Sequence, residues 1–147
     1  MKMTSKEIRS TFLFSERFMH VGDNIFVADA DYFIPSRQWI EEGFHYWFAQ
    51  ALEALRVDKY HRSNDCDNFA MGYQWLANVC HSQSQSETTQ AVSIGQVFYC
   101  IDGDPDKKHA INVAFVDEGE LVYIEPQGPE VIELSEAEER SIFFVRF

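Results

Sequence analysis

Apolar positions along this chain change their period once. Between residues 36 and 80 they recur every three or four positions. From residue 91 they fall in short runs separated by Gly, Pro and Asp. Trp39, Ile40, Phe44, Trp47, Phe48, Ala51, Leu52 and Leu55 trace an i, i+4, i+7, i+8 stripe behind Ser36, a residue suited to the N-cap. That pattern predicts a helix. A second is predicted behind Ser63-Asn64-Asp65, with Phe69, Gly72, Tyr73, Leu76 and Cys80 on one face, ending near Cys80. Strands are then expected over 92–101, 109–116, 120–125, 130–134 and 142–147. The turns Asp102-Gly103-Asp104-Pro105-Asp106, Asp117-Glu118-Gly119 and Pro126-Gln127-Gly128-Pro129 separate the first four. Ser135-Glu136-Ala137-Glu138 has the form of a capping box for a short helix.

The remaining segments carry weaker patterns. Residues 1–22 offer Phe12, Leu13, Phe14, Phe18 and Met19 for packing. Asn24 to Pro35 has no helical period and is expected to deliver Tyr32 and Ile34 to the core in extended form, with Asp29 and Asp31 solvated. The polar tract His81 to Gln90 reads as a surface loop with room for a helical turn near its end. The order, helices before an antiparallel meander, predicts an α+β class. One domain is expected over 1–147, with an N-terminal extension (1–35), a helical part (36–82) and a sheet part (91–147).

Composition narrows the partners. With 46% hydrophobic and 15% aromatic residues in 147, the chain has a core to bury. A formal charge of −12 argues against nucleic acid and anionic membrane surfaces, which attract clustered Lys and Arg. No apolar run approaches the ~20 residues of a membrane helix. Met1 to Glu7 has charges but no apolar core or cleavage site after them, so export is not expected. Three cysteines (Cys66, Cys80, Cys100) lack the paired spacing of a disulfide framework and suit a reducing cytoplasm. A zinc site from Cys66, Cys80, His81, Cys100 and His109 would be irregularly spaced and is not expected.

Within that frame Cys66 is the residue with chemistry. At a helix start, the dipole and unpaired amides favour a thiolate over a thiol. His109 opens one expected strand and Glu125 closes the next, so a hairpin turning at Asp117-Glu118-Gly119 brings the two together. Thiolate nucleophile, imidazole base and orienting carboxylate are the parts of a Cys-His-acid triad. A buried small cysteine, a strand-edge histidine and a solvated glutamate are the plain structural alternatives.

These residues carry a resemblance. Asp65-Cys66-Asp67-Asn68-Phe69-Ala70, His109-Ala110-Ile111-Asn112-Val113 and Tyr123-Ile124-Glu125-Pro126-Gln127 resemble the papain-like cysteine peptidases in their transglutaminase-like form. The gaps of 43 residues from Cys66 to His109 and 16 from His109 to Glu125 suit it. Glutamate as third member is closer to the cysteine-peptidase domain of certain fungal agglutinins, which can require calcium. The resemblance implies helices packed on an antiparallel sheet, a thiol-dependent amide-bond hydrolase (cysteine protease), and a protein or peptide substrate. Cys66, His109 and Glu125 would be catalytic, with no resident metal required. It departs from the family where a glutamine often precedes the cysteine. Tyr60 stands there as an oxyanion candidate, with His61 and Asn64 nearby and Asp65, Asp67 and Gln127 as further site candidates. Asp65, Asp67 and Glu125 are the oxygen donors calcium could use. Acyl transfer or deamidation on the same fold, and a non-catalytic binding module, are the alternatives; NlpC/P60-type hydrolases share the residue order but are expected to be exported. Oligomeric state is not legible.

Overall fold

The computed structural model describes residues 1–84 and 90–147. Strand β1 (Lys2–Thr4) runs straight into helix α1 (Ser5–Leu13). A reciprocal cap fixes that start: the Thr4 hydroxyl accepts from the Glu7 amide at 3.3 Å, and the Glu7 carboxylate accepts from the Thr4 amide at 2.7 Å. Two short strands follow, β2 (Ile25–Phe26) and β3 (Asp31–Phe33). Ser36 caps the next helix by accepting from the Trp39 amide at 3.1 Å. Trp39–Phe44 is wound as a π-helix and continues as α2 (His45–Leu55), which stops at Arg56 in the left-handed region (φ 57°). Helix α3 spans Cys66–Ser84.

The chain then makes β4 (Ala91–Val92), β5 (Ile94–Cys100), β6 (Lys108–Val116), β7 (Glu120–Glu125) and β8 (Glu130–Ile132). The capping box at Ser135 forms and opens α4 (Glu136–Arg140), and β9 (Phe144–Arg146) ends the described elements. Six strands pair in the order β2-β9-β5-β6-β7-β8, antiparallel except for β2 with β9. A second sheet has the order β1-β3-β4, with β3 and β4 parallel.

This corrects the expected class. In place of N-terminal helices on one antiparallel sheet, the fold is mixed α/β with two sheets, each containing a parallel pair. Residues 1–35, expected as an N-terminal extension with an extended strand or loop over 24–35, supply β1, β2 and β3. Strands of two or three residues are too short to show an alternating period, so the pattern could not display them.

The longest strand explains the layering. Ile111, Val113 and Phe115 of β6 face a core with Ile8, Phe12, Phe18 and Tyr32, while Ala114 and Val116 face Phe44, Phe48, Tyr73 and Ala77. A strand covered on both faces reads as a near-continuous apolar run, and 110–116 is apolar except at Asn112. Phe12 and Phe18 are buried as expected, but Leu13, Phe14 and Met19 are 44%, 84% and 63% exposed. Helix α3 also outruns its expected end. His81 to Ser84 are helical, and buried His81 stacks on Phe33 at 4.5 Å. The helical turn expected near the end of that polar tract falls outside the described residues.

Candidate functional site

Three short contacts build the start of α3. His61 and Asn64 exchange backbone hydrogen bonds at 3.1 and 2.8 Å, closing a tight loop. The Phe69 amide donates to the Asp65 carbonyl at 3.0 Å, and the Asp65 amide donates to Asn68 Oδ1 at 3.3 Å. Cys66 is therefore in the first turn, partly exposed, with the positive end of the helix dipole behind it.

The hairpin of β6 and β7 brings up the other two groups. Its register pairs Asn112 with Ile124 and Val116 with Glu120. Continued by one step, Glu125 lies opposite Ile111, so it reaches His109 along the diagonal rather than directly across. His109 Nε2 and Glu125 Oε2 are 2.8 Å apart, and Glu125 Oε1 accepts from the Gln127 amide at 3.0 Å. With Nε2 engaged by Glu125, the other ring nitrogen is left for Cys66, whose thiol is hydrogen-bonded to the His109 side chain. The Tyr99 ring meets the imidazole edge-on at 5.8 Å.

The electrostatics follow from those bonds. The hydrogen bond from His109 holds the Cys66 thiol below its ordinary range, against the opposing effect of burial, and the Ala110 amide adds to the lowering. The His109 imidazole is pushed up to about 9, first by Cys66 and then by Glu125. Both shifts favour the thiolate–imidazolium form of the pair, with the carboxylate on the other side of the ring. Cys80, by contrast, has its thiol pushed up by burial alone.

The other candidates divide. Gln127 contacts the cluster through its backbone amide. Tyr60 is 65% exposed on the loop before α3, and among the described residues its hydroxyl contacts none of the three. Asp65 and Asp67 flank Cys66 and hydrogen-bond to each other, which raises the Asp67 carboxyl. No group of three or more His, Cys, Asp or Glu side chains converges on a metal-sized space among the described residues. Glu125 is engaged by His109 and the Gln127 amide, and Asp65 and Asp67 by each other.

Two features escaped the sequence reading. Asn112, fully buried in β6, donates from Nδ2 to the carbonyls of Ala70 and Gly95, both at 2.9 Å. Its signal was a single amide inside an apolar strand. The second is a groove of about 490 Å³, with Met71, Gln74, Trp75 and Asn78 of α3 as one wall and Phe26 and Arg146 among its other lining residues. Trp75 is 66% and Phe26 56% exposed there. Trp75 lies off the apolar face expected for this helix, and the packing leaves it facing out.

Neither a family model nor a curated protein matches this chain. Several solved structures do match in fold, among them two that align with nearly the whole chain. One is titled as the PSL1a-E64 complex, with TM-score 0.76 and 16% identity over 99% of this chain and 51% of that one. The other is Polyporus squamosus lectin bound to the human-type influenza-binding epitope Neu5Aca2-6Galb1-4GlcNAc, with TM-score 0.72 and 17% identity over 99% and 49%. The chain thus spans about half the length of the structures it matches. These matches correct the peptidase resemblance, and with it the amide-hydrolase reading, the hydrolase and thiol-protease labels and the peptide substrate. The motifs that suggested a peptidase describe a cluster of three side chains, and such clusters recur on unrelated architectures. Over its whole length the chain has the fold of about half of a lectin chain.

Proposed function

We propose that this chain is a binding module, and that its ligand meets Cys66 held as a thiolate by His109 and Glu125. One observation carries the reading: a single imidazole is hydrogen-bonded to the Cys66 thiol and, on its other side, to the Glu125 carboxylate. The two similar structures carry E64 and a sialylated glycan, which gives two ligand types on this fold. E64 carries an epoxide, and the site has the groups to capture one. Cys66 sulfur would form a bond to an epoxide carbon, the carbon–oxygen bond would break, and the oxygen would take the proton of the His109 imidazolium. Glu125 keeps the ring oriented and charged throughout. Covalent capture of this kind needs no turnover.

Intact-mass and peptide-level mass spectrometry after exposure to E64 or iodoacetamide at pH 6 test this. A single adduct on Cys66, formed about tenfold more slowly in His109→Ala, is expected, because an unpaired thiol is only a few per cent ionised near neutrality. Equal labelling of Cys66, Cys80 and Cys100 would sink it.

A second reading concerns the groove along α3. Trp75 and Phe26 offer aromatic faces to a sugar ring, and the Arg146 guanidinium beside them suits a carboxylate-bearing glycan. Titration with Neu5Acα2-6Galβ1-4GlcNAc should quench tryptophan fluorescence in the parent and not in Trp75→Ala. Equal quenching in both would remove the groove from consideration.

A further inference from the structure

Hydrophobic contact between a helix and a sheet is non-directional and sets the spacing of the layers better than the helix's position along its own axis. Where α3 lies on β5 and β6, most of the contact is apolar, through Phe69, Tyr73 and Ala77. A hydrogen bond between Cys66 and His109 is intolerant of sliding, since one residue of helix rise is about 1.5 Å. Something directional has to fix that register.

The side chain placed to do so is Asn112. It follows His109 by three residues on β6, and its first acceptor, the Ala70 carbonyl, lies four residues, about one helical turn, beyond Cys66. Its second acceptor, the Gly95 carbonyl, is on the neighbouring strand β5. Both amide protons are thus used, and three backbones are joined at one buried point. Asn112 Oδ1 has no hydrogen-bond partner among the described residues, although the residue is 0% exposed. An orphaned buried acceptor is costly, so an apolar side chain of the same size would be the cheaper filling if packing were the only task.

We propose that Asn112 is a positioning residue: through the Ala70 carbonyl it sets the axial register of α3 against β6 and so holds Cys66 at His109. This rests on the reading of Cys66 as an ionised thiol. Gln74 to Gln96 at 2.7 Å and Asn78 to the Val92 amide at 2.9 Å pin α3 farther along. Asn112 is the pin one turn from the thiol.

The test is the rate of Cys66 alkylation by iodoacetamide from pH 4 to 10, in the parent, Asn112→Leu and Ser93→Ala. Ser93 is equally buried and loses a 2.8 Å bond to the Phe115 carbonyl in that variant, without touching α3. Temperatures stay well below each melting point, and Asn112→Ala replaces the leucine variant if the latter does not fold. The acid limb of the profile is expected to move up by about one pH unit in the Asn112 variant, slowing labelling about tenfold at the foot of that limb, while Ser93→Ala keeps the parent profile. An unchanged profile in the Asn112 variant, or the same displacement in Ser93→Ala, would overturn the inference and leave the thiolate intact. A parent profile with an ordinary thiol limb would overturn both.

Discussion

Glu125 Oε2 accepts from His109 Nε2 at 2.8 Å along the diagonal of the β6–β7 hairpin. The offset has a use. Ile111, directly opposite Glu125, points into the core, so the carboxylate reaches past it to the strand's open end, where Cys66 and His109 are. The side chains of His109 and Glu125 keep 17% and 23% exposure, enough for solvent to reach the pair and too little to screen it fully.

Replacing Glu125 by Gln removes the second-largest support for the imidazolium, leaving the Cys66 hydrogen bond as the main one. The His109 titration midpoint is therefore expected to fall from about 9 toward, but not to, the ordinary value near 6.5. Ring-proton NMR of the parent and Glu125→Gln across pH 5–10 measures it. An unmoved midpoint would show that the carboxylate has no electrostatic part in the site.

Removing the thiol changes how stability depends on pH. His109 has a raised folded pKa, so its contribution is complete below about 6.5 and lost as pH rises through about 9. Cys66 is depressed, so its contribution is complete above the unfolded thiol value and lost as pH falls through the folded one. Between the two unfolded values, the folded pair and the unfolded pair hold the same number of protons, and their effects on slope cancel. Cys66→Ala removes the largest support of the His109 shift and leaves the one from Glu125, with no thiol to oppose it. The slope of unfolding free energy should become more negative from pH 6.5 upward, by less than about 1.4 kcal/mol per pH unit and over a window that closes below pH 9. Urea denaturation at half-unit intervals of pH reads it directly.

Gly95 is the most closely approached glycine of the chain. A Cβ there would lie 2.5 Å from the Arg146 carbonyl oxygen and 2.9 Å from the Phe147 ring. Gly95→Ala should destabilise by about 2–3 kcal/mol, by forcing β9 away from β5. It should also weaken the Asn112 bond to the Gly95 carbonyl. A midpoint in urea within experimental error of the parent's would contradict the close approach.

Legibility followed length and period. Helices α2 and α3, strands β5 to β7 and the capping box at Ser135 each carry a pattern long enough or specific enough to read. The meeting of His109 and Glu125 could be inferred because a three-residue turn leaves a hairpin few registers. Three things stayed hidden. Ile25–Phe26 and Asp31–Phe33 are too short to show a period, so a mixed two-sheet fold looked like a plain meander. Trp75 belongs to a helix whose buried face is Phe69, Ala70, Tyr73, Ala77 and His81, partly rotated from the face the spacing suggested. Architecture beyond the site was misread because three short motifs fix a few side chains and say little about the strands at the sheet edges.

The parallel pairing of β2 with β9 ties Ile25 to Val145 and Phe26 to Arg146, partners about 120 residues apart in the chain. Everything that forms the thiolate centre lies between Cys66 and Glu125 and closes through a helix and two hairpins. The order of assembly follows from loop closure, which favours near contacts before distant ones. Strands β5 to β7 with α3 can come together first, β9 adds to the free edge of β5, and β2 has no partner in that sheet until β9 is seated. The groove beside Trp75, lined by Phe26 and Arg146, is then the last surface to be completed, and the cluster of Cys66, His109 and Glu125 is among the first.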